Sequence, residues 1–252
     1  MAPIKIIKKP SPNRTPGRQK QVPDIIVCHI TDGTFPGSVS WVTNPVSRVS
    51  YHFMVSLSGE IYQTVDIKDT AWANGTTNDG QARCNSHSLL EAVRSRGINA
   101  NLYTISIGFE GRHVYTRGTL SPKQFNAAVD LIKHIRAEVK RIWRMDIPLT
   151  DTGIVGHKSI TPRHRPNCPG VKFPFDDILA SLAGGTEKIP RFLPGHIPEE
   201  WAKESWLWAM AELGMDGMRP RDTLTRQEVM TLLHRFYNGP VTRRKVSGDN
   251  ES

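Results

Sequence analysis

The groups in this 252-residue chain best able to do chemistry are its nine histidines and three cysteines. His113, His134, His196 and His234 stand in polar or helix-surface contexts and are read as solvated or structural. Four others are better placed. His29 closes the β-branched run DIIVCHI, His52 sits in Tyr51-His52-Phe53, His157 in VGHKSI and His164 in the loop RHRPNCPG. One histidine at a strand end is more often a satisfied polar residue than a ligand, but several together with a thiol change the balance. His157 and Cys168 lie 11 residues apart, across a loop stiffened by Pro162, Pro166 and Pro169. That is not the spacing of a closed four-ligand zinc finger. Two histidines and one thiolate leave a fourth position for water, the open arrangement of a catalytic zinc site. Thiolate and imidazole donors suit Zn²⁺ over Mg²⁺ or Ca²⁺. Cys28, Cys84 and Cys168 are odd in number and widely spaced, so they form no disulfide framework and leave at least one thiol for metal or chemistry.

Residues 24–30 read as a buried strand ending on His29, after which TDGTFPGS breaks the chain. VSYHFMVSL (49–57), the turn Ser58-Gly59 and EIYQTVDI read as strand, tight turn and strand. Tyr103 to Phe109 is a further strand. Ser121 as N-cap and Pro122 at the first helical position open a helix carrying Phe125, Ala128, Val129, Ile132, Ile135, Val139 and Ile142 at helical spacing. Gly153 to His157 is a short strand running into a loop, and Phe175 to Leu182 a short helix. Strands alternating with helices predict an α/β domain over residues 1–183.

Residues 184–195, rich in glycine and proline and without periodicity, read as a linker. Residues 196–240 read as a small all-α module. EEWAKESWLWAMAELG sets Trp201, Trp208, Ala209 and Leu213 on or near one face before Gly214. A capping box at Thr225 to Glu228 then precedes Val229, Leu232, Leu233 and Phe236. Two helices make a poor core of their own, so this piece is expected to pair with a second copy of itself or to dock on the first domain. Residues 241–252 read as a flexible tail.

A hydrophobic fraction of 38% with 23% charged residues excludes a wholly disordered chain, and no stretch is apolar enough to span a membrane. Lys and Arg exceed Asp and Glu by 33 to 24, a net +9. Lys5, Lys8, Lys9, Arg14, Arg18 and Lys20 place +6 of it in residues 1–20, which hold no acid. Such an arm can seek nucleic acid, an anionic membrane or an anionic wall polymer, and without a motif that selects one it reads as solvated. It has no apolar core of a signal peptide, so synthesis in a cytoplasm is expected.

CHIT (28–31), VSYHFMVSLSGEIYQTVD (49–66), AWANG (71–75), SIGFEG (106–111) and GHKSI…NCPG (156–170) occur in one order over about residues 20–182. In that order and spacing the chain resembles the zinc-dependent N-acetylmuramoyl-L-alanine amidases of the type-2 family, related to peptidoglycan recognition proteins and phage lysozymes of the amidase kind. The resemblance implies a mixed central β-sheet flanked by helices, with residues 1–22 as a basic lead-in segment, and one Zn²⁺ per chain on His29, His157 and Cys168. It implies Glu110 as catalytic carboxylate and Tyr51 beside the metal. The family's basic residue two before the third ligand is Pro166 here, which leaves Arg165 as the catalytic cation and His164 next to it. Trp72, Asn74 and His164 are placed on the substrate, although many members have His where Asn74 stands. Residues 196–240, with their Trp-Ala-Lys start and Leu-Thr-Arg-Gln-Glu helix opening, resemble an S-layer homology module, which implies a hold on a secondary cell-wall polymer.

The residue types fit that chemistry. An amide is a poor electrophile with a poor leaving group, so hydrolysis at neutral pH needs activated water and a polarised carbonyl, and zinc supplies both. Glu110 would take the water proton and pass it to the departing L-alanine nitrogen, while Tyr51 and Arg165 or His164 would donate to the oxyanion. The expectation is a peptidoglycan hydrolase most like a phage or prophage endolysin of a Gram-positive host, made without a signal peptide and acting on the wall after release. The rivals are a non-catalytic peptidoglycan-binding protein, which would lack a zinc ligand, and a basic nucleic-acid-binding regulator, for which no recognition motif is present. Neither nucleic acid nor membrane is expected as a partner.

Overall fold

The computed structural model describes residues 4–184. The remainder of the linker, the helical module expected at 196–240 and the tail expected at 241–252 lie outside the described residues. Six strands form the main sheet: β1 (Ile6–Lys8), β3 (Ile25–Ile30), β4 (Phe53–Val55), β5 (Ile61–Gln63), β7 (Thr104–Phe109) and β8 (Ile154–Gly156), in the order β1-β5-β4-β7-β3-β8. Only β4 and β5 are antiparallel neighbours; the other pairs are parallel. A small antiparallel pair, β2 (Arg14–Thr15) with β6 (Thr70–Ala71), lies apart. The sheet is mixed, as the resemblance implied.

The helices are α1 (Phe35–Thr43), α2 (Glu91–Arg96), α3 (His113–Thr116), α4 (Pro122–Trp143), α5 (His157–Ile160) and α6 (Phe175–Leu182). None among the described residues is long and apolar enough to cross a membrane. Both faces of β3 and β7 are covered, which is why their sequences are nearly continuous apolar runs. On one face Ile26, Cys28, Ile105, Ile107 and Phe109 pack against Phe125, Leu131, Ile132, Ile135 and Val139 of α4. Ser121 caps α4 by accepting from Gln124 N at 3.1 Å. On the other face Ile25 and Val27 pack with Val93, Leu102, Tyr103 and Ile160, and Met54 packs with Phe35 and Val42 of α1. The expected hairpin is present. Its Gly59 adopts φ +84°, where a Cβ would lie 2.9 Å from Lys123 O.

Two expectations are corrected. TDGTFPGS does not simply break the chain, because Thr34 occupies the N-cap position and a proline in the first turn starts α1. Nor is the basic N-terminus a solvated arm. β1 adds a parallel strand to β5, and three polar side chains of the lead-in, Ser11, Asn13 and Arg18, are buried. Asn13, 2% exposed, donates to Val42 O at 3.1 Å and Asn44 O at 2.8 Å. Arg18, 4% exposed, donates to the carbonyls of Ile67 (2.6 Å), Leu102 (3.0 Å) and Thr104 (3.1 Å) and meets His52 Nε2 at 2.8 Å. Burial lowers its pKa to about 10, against the opposing pull of Asp69 and Asp66. At neutral pH it remains a buried cation held by carbonyl dipoles.

Arg18→Met should therefore destabilise the domain by about 3 kcal/mol or more, since hydrogen bonds to a charged donor are lost and several buried carbonyls lose a partner. Denaturant unfolding checks this; a loss near zero would mean that the lead-in is dispensable.

Candidate metal centre and cleft

β3 and β8 run parallel with Cys28 opposite Gly156. The next residues, His29 near the end of β3 and His157 at the start of α5, therefore leave the sheet side by side at the C-terminal ends of their strands. This is where parallel sheets place functional groups. Their ring centroids are 4.6 Å apart. The loop after α5 returns to the same spot, tied by Lys158 N donating to Cys168 O at 2.9 Å, and Cys168 Sγ stands 3.9 Å from His29 Nδ1. One ligand atom from each of His29, His157 and Cys168 lies within 4.8 Å of the others. Gly156 has no room for a side chain, since a Cβ would come 2.6 Å from Pro169 Cδ.

The electrostatics suit a cation held by neutral donors. Burial, then the neighbouring His157 ring and Arg165, hold His29 well below the usual imidazole range. Burial, then Arg165 and His164, lower His157 to about 3. Both rings are neutral at pH 7 and offer lone pairs. Burial raises the Cys168 thiol to about 11, so that thiol ionises near neutrality only with a cation beside it. His29 Nε2 is buried without a hydrogen-bond partner. Two imidazoles and one thiol converging with a free face fit the donor set of an open zinc site. The other cysteines do not reach it: Cys28 points into the core under α4, where burial raises its pKa far above normal, and Cys84 lies in the loop beside Ser86.

A cleft of about 800 Å³ opens over these donors. Tyr51, His164, Arg165 and Trp72 line it, as do Asp32, Trp41 and Arg112, which sequence reasoning did not single out. Tyr51 packs on His29, with ring centroids 5.1 Å apart. This needs Gly108 beneath it, where a Cβ would lie 2.7 Å from Tyr51 Cδ2. A glycine inside the apolar strand YTISIGF was the available signal of such close approach. Burial raises the Tyr51 phenol above its usual range, so it stays a proton donor. His164 is half-buried and lowered by burial, then by Arg165 and Arg83. Trp72 is oriented by its Nε1, which donates to Thr15 Oγ1 at 2.9 Å.

Three expected or candidate residues stand back from the cleft. Asn74, placed on the substrate from the resemblance, is 1% exposed and does not line the opening. Its side chain donates to Thr104 Oγ1 at 3.1 Å and accepts from Ser106 Oγ at 2.7 Å, so it is a buried support near His29. Glu110 is half-buried outside the cleft lining. Its two oxygens accept from Phe35 N at 2.7 Å and Leu57 N at 2.8 Å, joining the first turn of α1 to the turn after β4. His52 is fully buried beneath the sheet end, where its Nδ1 accepts from Ser106 N at 3.0 Å.

Comparison with known proteins gives the activity that this geometry serves. Residues 18–171 match the family Amidase_2, N-acetylmuramoyl-L-alanine amidase. N-acetylmuramoyl-L-alanine amidase A of Achromobacter lyticus is 25% identical over 171 residues, covering 64% of this chain and 83% of that protein. A selenomethionine derivative of AmpD is similar in fold, with a TM-score of 0.51 and 20% identity over 71% of this chain and 95% of that one. The amidase LysC from Clostridium intestinale aligns with a TM-score of 0.48 and 20% identity, over 72% of this chain and 99% of that one. The chain thus belongs to the Amidase_2 family and is an N-acetylmuramoyl-L-alanine amidase, acting on the amide of peptidoglycan that joins the sugar to the stem peptide.

Proposed function

We propose that this amidase is a zinc enzyme with one ion per chain on His29, His157 and Cys168, and that it serves as a wall-lysing endolysin of a phage or prophage with a Gram-positive host. The observation that carries the metal reading is the buried convergence of two neutral imidazoles and a thiol within 4.8 Å at the floor of the cleft. When bound, zinc supplies Lewis-acid chemistry, polarising the scissile carbonyl and acidifying water. The protein's own groups do the rest. Tyr51 and Arg165, both lining the cleft, donate to the oxygen on which negative charge develops. Arg165 adds a positive charge that His29, His157 and Cys168 all feel. Glu110 is the carboxylate assigned to the water proton. It leaves β7 on the face that carries Gly108 under Tyr51, at the strand end beside His29. Taking that proton requires one of its backbone hydrogen bonds to be exchanged for water on substrate binding.

A non-catalytic binding protein would have no use for a complete donor set. A nucleic-acid role draws little support from the basic lead-in, which is built into the sheet through β1 and buries Arg18, one of its six cations. In this reading residues 196–240 hold the enzyme to a secondary wall polymer or pair with a second copy. In the same reading the enzyme is made in a cytoplasm and reaches the wall after release.

Zinc binding at pH 7 should release about one proton per ion, because the imidazoles are already neutral while the Cys168 thiol, near 11, must ionise. Affinity should accordingly rise with pH, by about tenfold per unit between 7 and 10. Calorimetry in buffers of different ionisation heat reads the proton. Cys168→Ser should bind zinc at least ~100-fold more weakly and release none; unchanged affinity would remove Cys168 from the donor set.

Glu110→Gln should keep stoichiometric zinc and lose about 10²–10⁴-fold in turnover. It should also lower the melting temperature, since an amide NH₂ then faces one of the two backbone N–H donors. Turnover at the parent rate in folded protein would make Glu110 a structural clamp.

A chain ending at Ala183 should still cleave soluble muropeptide but clear whole walls more slowly, since a tethered binding module raises the local enzyme concentration on an insoluble substrate. Equal loss on both substrates would instead make residues 196–240 part of the amidase core.

A further inference from the structure

The two ends of the cleft differ in chemistry, and α1 runs between them. At its C-terminal end the opening is lined by Trp41, Val42, Val49, Ser50, Trp72 and Ala73, with no charged side chain. These belong to one end, because the Asn13 amide donates to both Val42 O (3.1 Å) and Val49 O (3.2 Å), and Ser50 N donates to Trp72 O at 3.2 Å. At the N-terminal end of α1 the lining turns charged. Asp32 and Arg112 both face the cleft there, held by the Gly33–Gly111 bridge and by His113 N donating to Asp32 Oδ1 at 2.9 Å. A helix of nine residues spans about 13 Å. Tyr51 links the donors to this wall, since it packs against the cluster of Phe35, Val42 and Met54 and lies beside the His29 ring.

Trp41 is 55% exposed inside this cleft, an unusual place for a tryptophan in a folded domain. Val49, 38% exposed, lines the same end of the opening. The amide that this enzyme cuts joins two chemically unlike pieces: a sugar ring, uncharged with apolar C–H faces, and a peptide that carries at least a terminal carboxylate. We propose that Trp41, with Trp72 beside it, is the sugar subsite. The muramoyl ring stacks at the C-terminal end of α1, and the stem peptide runs toward Arg112. The aromatic end offers a flat apolar surface edged by backbone and hydroxyl groups, which suits a sugar. The charged end offers a guanidinium to a carboxylate, with Asp32 already engaged on one oxygen by His113 N. Trp41 is thus a specificity residue for the known reaction. The inference rests on the scissile amide sitting over His29, His157 and Cys168.

Steady-state kinetics of the zinc-loaded enzyme test this, with soluble muramoyl peptide as substrate and two competitive inhibitors, the peptide-free N-acetylglucosaminyl-N-acetylmuramic acid disaccharide and the sugar-free stem peptide. Trp41→Ala should raise KM about tenfold with kcat within about twofold, and weaken the disaccharide by the same factor while leaving the stem peptide unchanged. Trp41→Phe should recover most of the loss, and the melting temperature should hardly move for so exposed a side chain. Arg112→Gln should weaken the stem peptide severalfold and leave the disaccharide alone, an effect that disappears when the peptide ends in an amide. The reverse pattern, with Trp41→Ala weakening the stem peptide, overturns the orientation. No change in either inhibitor for both variants overturns the subsites altogether. A wrong metal assignment would show instead as parent turnover that survives zinc removal, whatever the inhibitors do.

Discussion

The constraint on which this molecule turns is the parallel register of β3 and β8. Placing Cys28 opposite Gly156 brings His29 and His157 out together at the same end of the sheet, and a slip of one residue would turn a strand's side chains to the other face. Neighbouring features serve that pairing. Gly156 leaves space for Pro169, so the loop carrying Cys168 can return over β8. Gly108, opposite His29 in β7, leaves space for Tyr51 to lie against the His29 ring. Two glycines next to two histidines are the steric conditions under which three donors and a phenol share one small volume.

Burial does the electrostatic work and also sets its risk. The same desolvation that keeps both imidazoles neutral raises the Cys168 thiol to about 11. Without a cation the site holds neutral groups at little cost; with one, the thiolate becomes the charge that a dication most favours. The floor beneath is a polar network that begins in the lead-in. Arg18 meets His52, His52 accepts from Ser106 N, and Ser106 Oγ donates to Asn74 beside His29. The N-terminal segment thereby supports the catalytic face from behind, which explains why it belongs to the domain despite its basic, proline-rich composition.

Much of this was legible in the sequence, and for identifiable reasons. β3, β7 and α4 carry strong periodic or continuous apolar signals because both sheet faces are covered. His29, His157 and Cys168 stood out by residue type at element ends. What stayed hidden was whatever depends on distant partners. Arg18 and Asn13 look like solvent-seeking residues until the carbonyls they satisfy are in place. α1 was concealed by Pro36 and Gly37, and with it the cleft wall bearing Trp41. Asn74 reads as a contact residue from its motif, although tertiary hydrogen bonds turn its amide inward. Glu110 reads as a free carboxylate, although the backbone of α1 and of the β4 turn claims both its oxygens.

The asparagine at position 74, where related amidases often carry histidine, has a physical rationale in this setting. The floor already holds His29, His52 and His157, all buried, and each protonation there would set a positive charge against the proposed metal centre. A fourth ring in contact with Ser106 would add another titratable group to a region that Arg165 and Arg18 already make positive. The amide satisfies a hydroxyl donor and a hydroxyl acceptor at once, Ser106 and Thr104, and carries no charge at any pH. It fixes the layer under His29 while leaving the balance of charge to Cys168, Arg165 and the proposed metal. Position 74 therefore acts on His29, which it supports, and on the strand it bridges rather than on the substrate above.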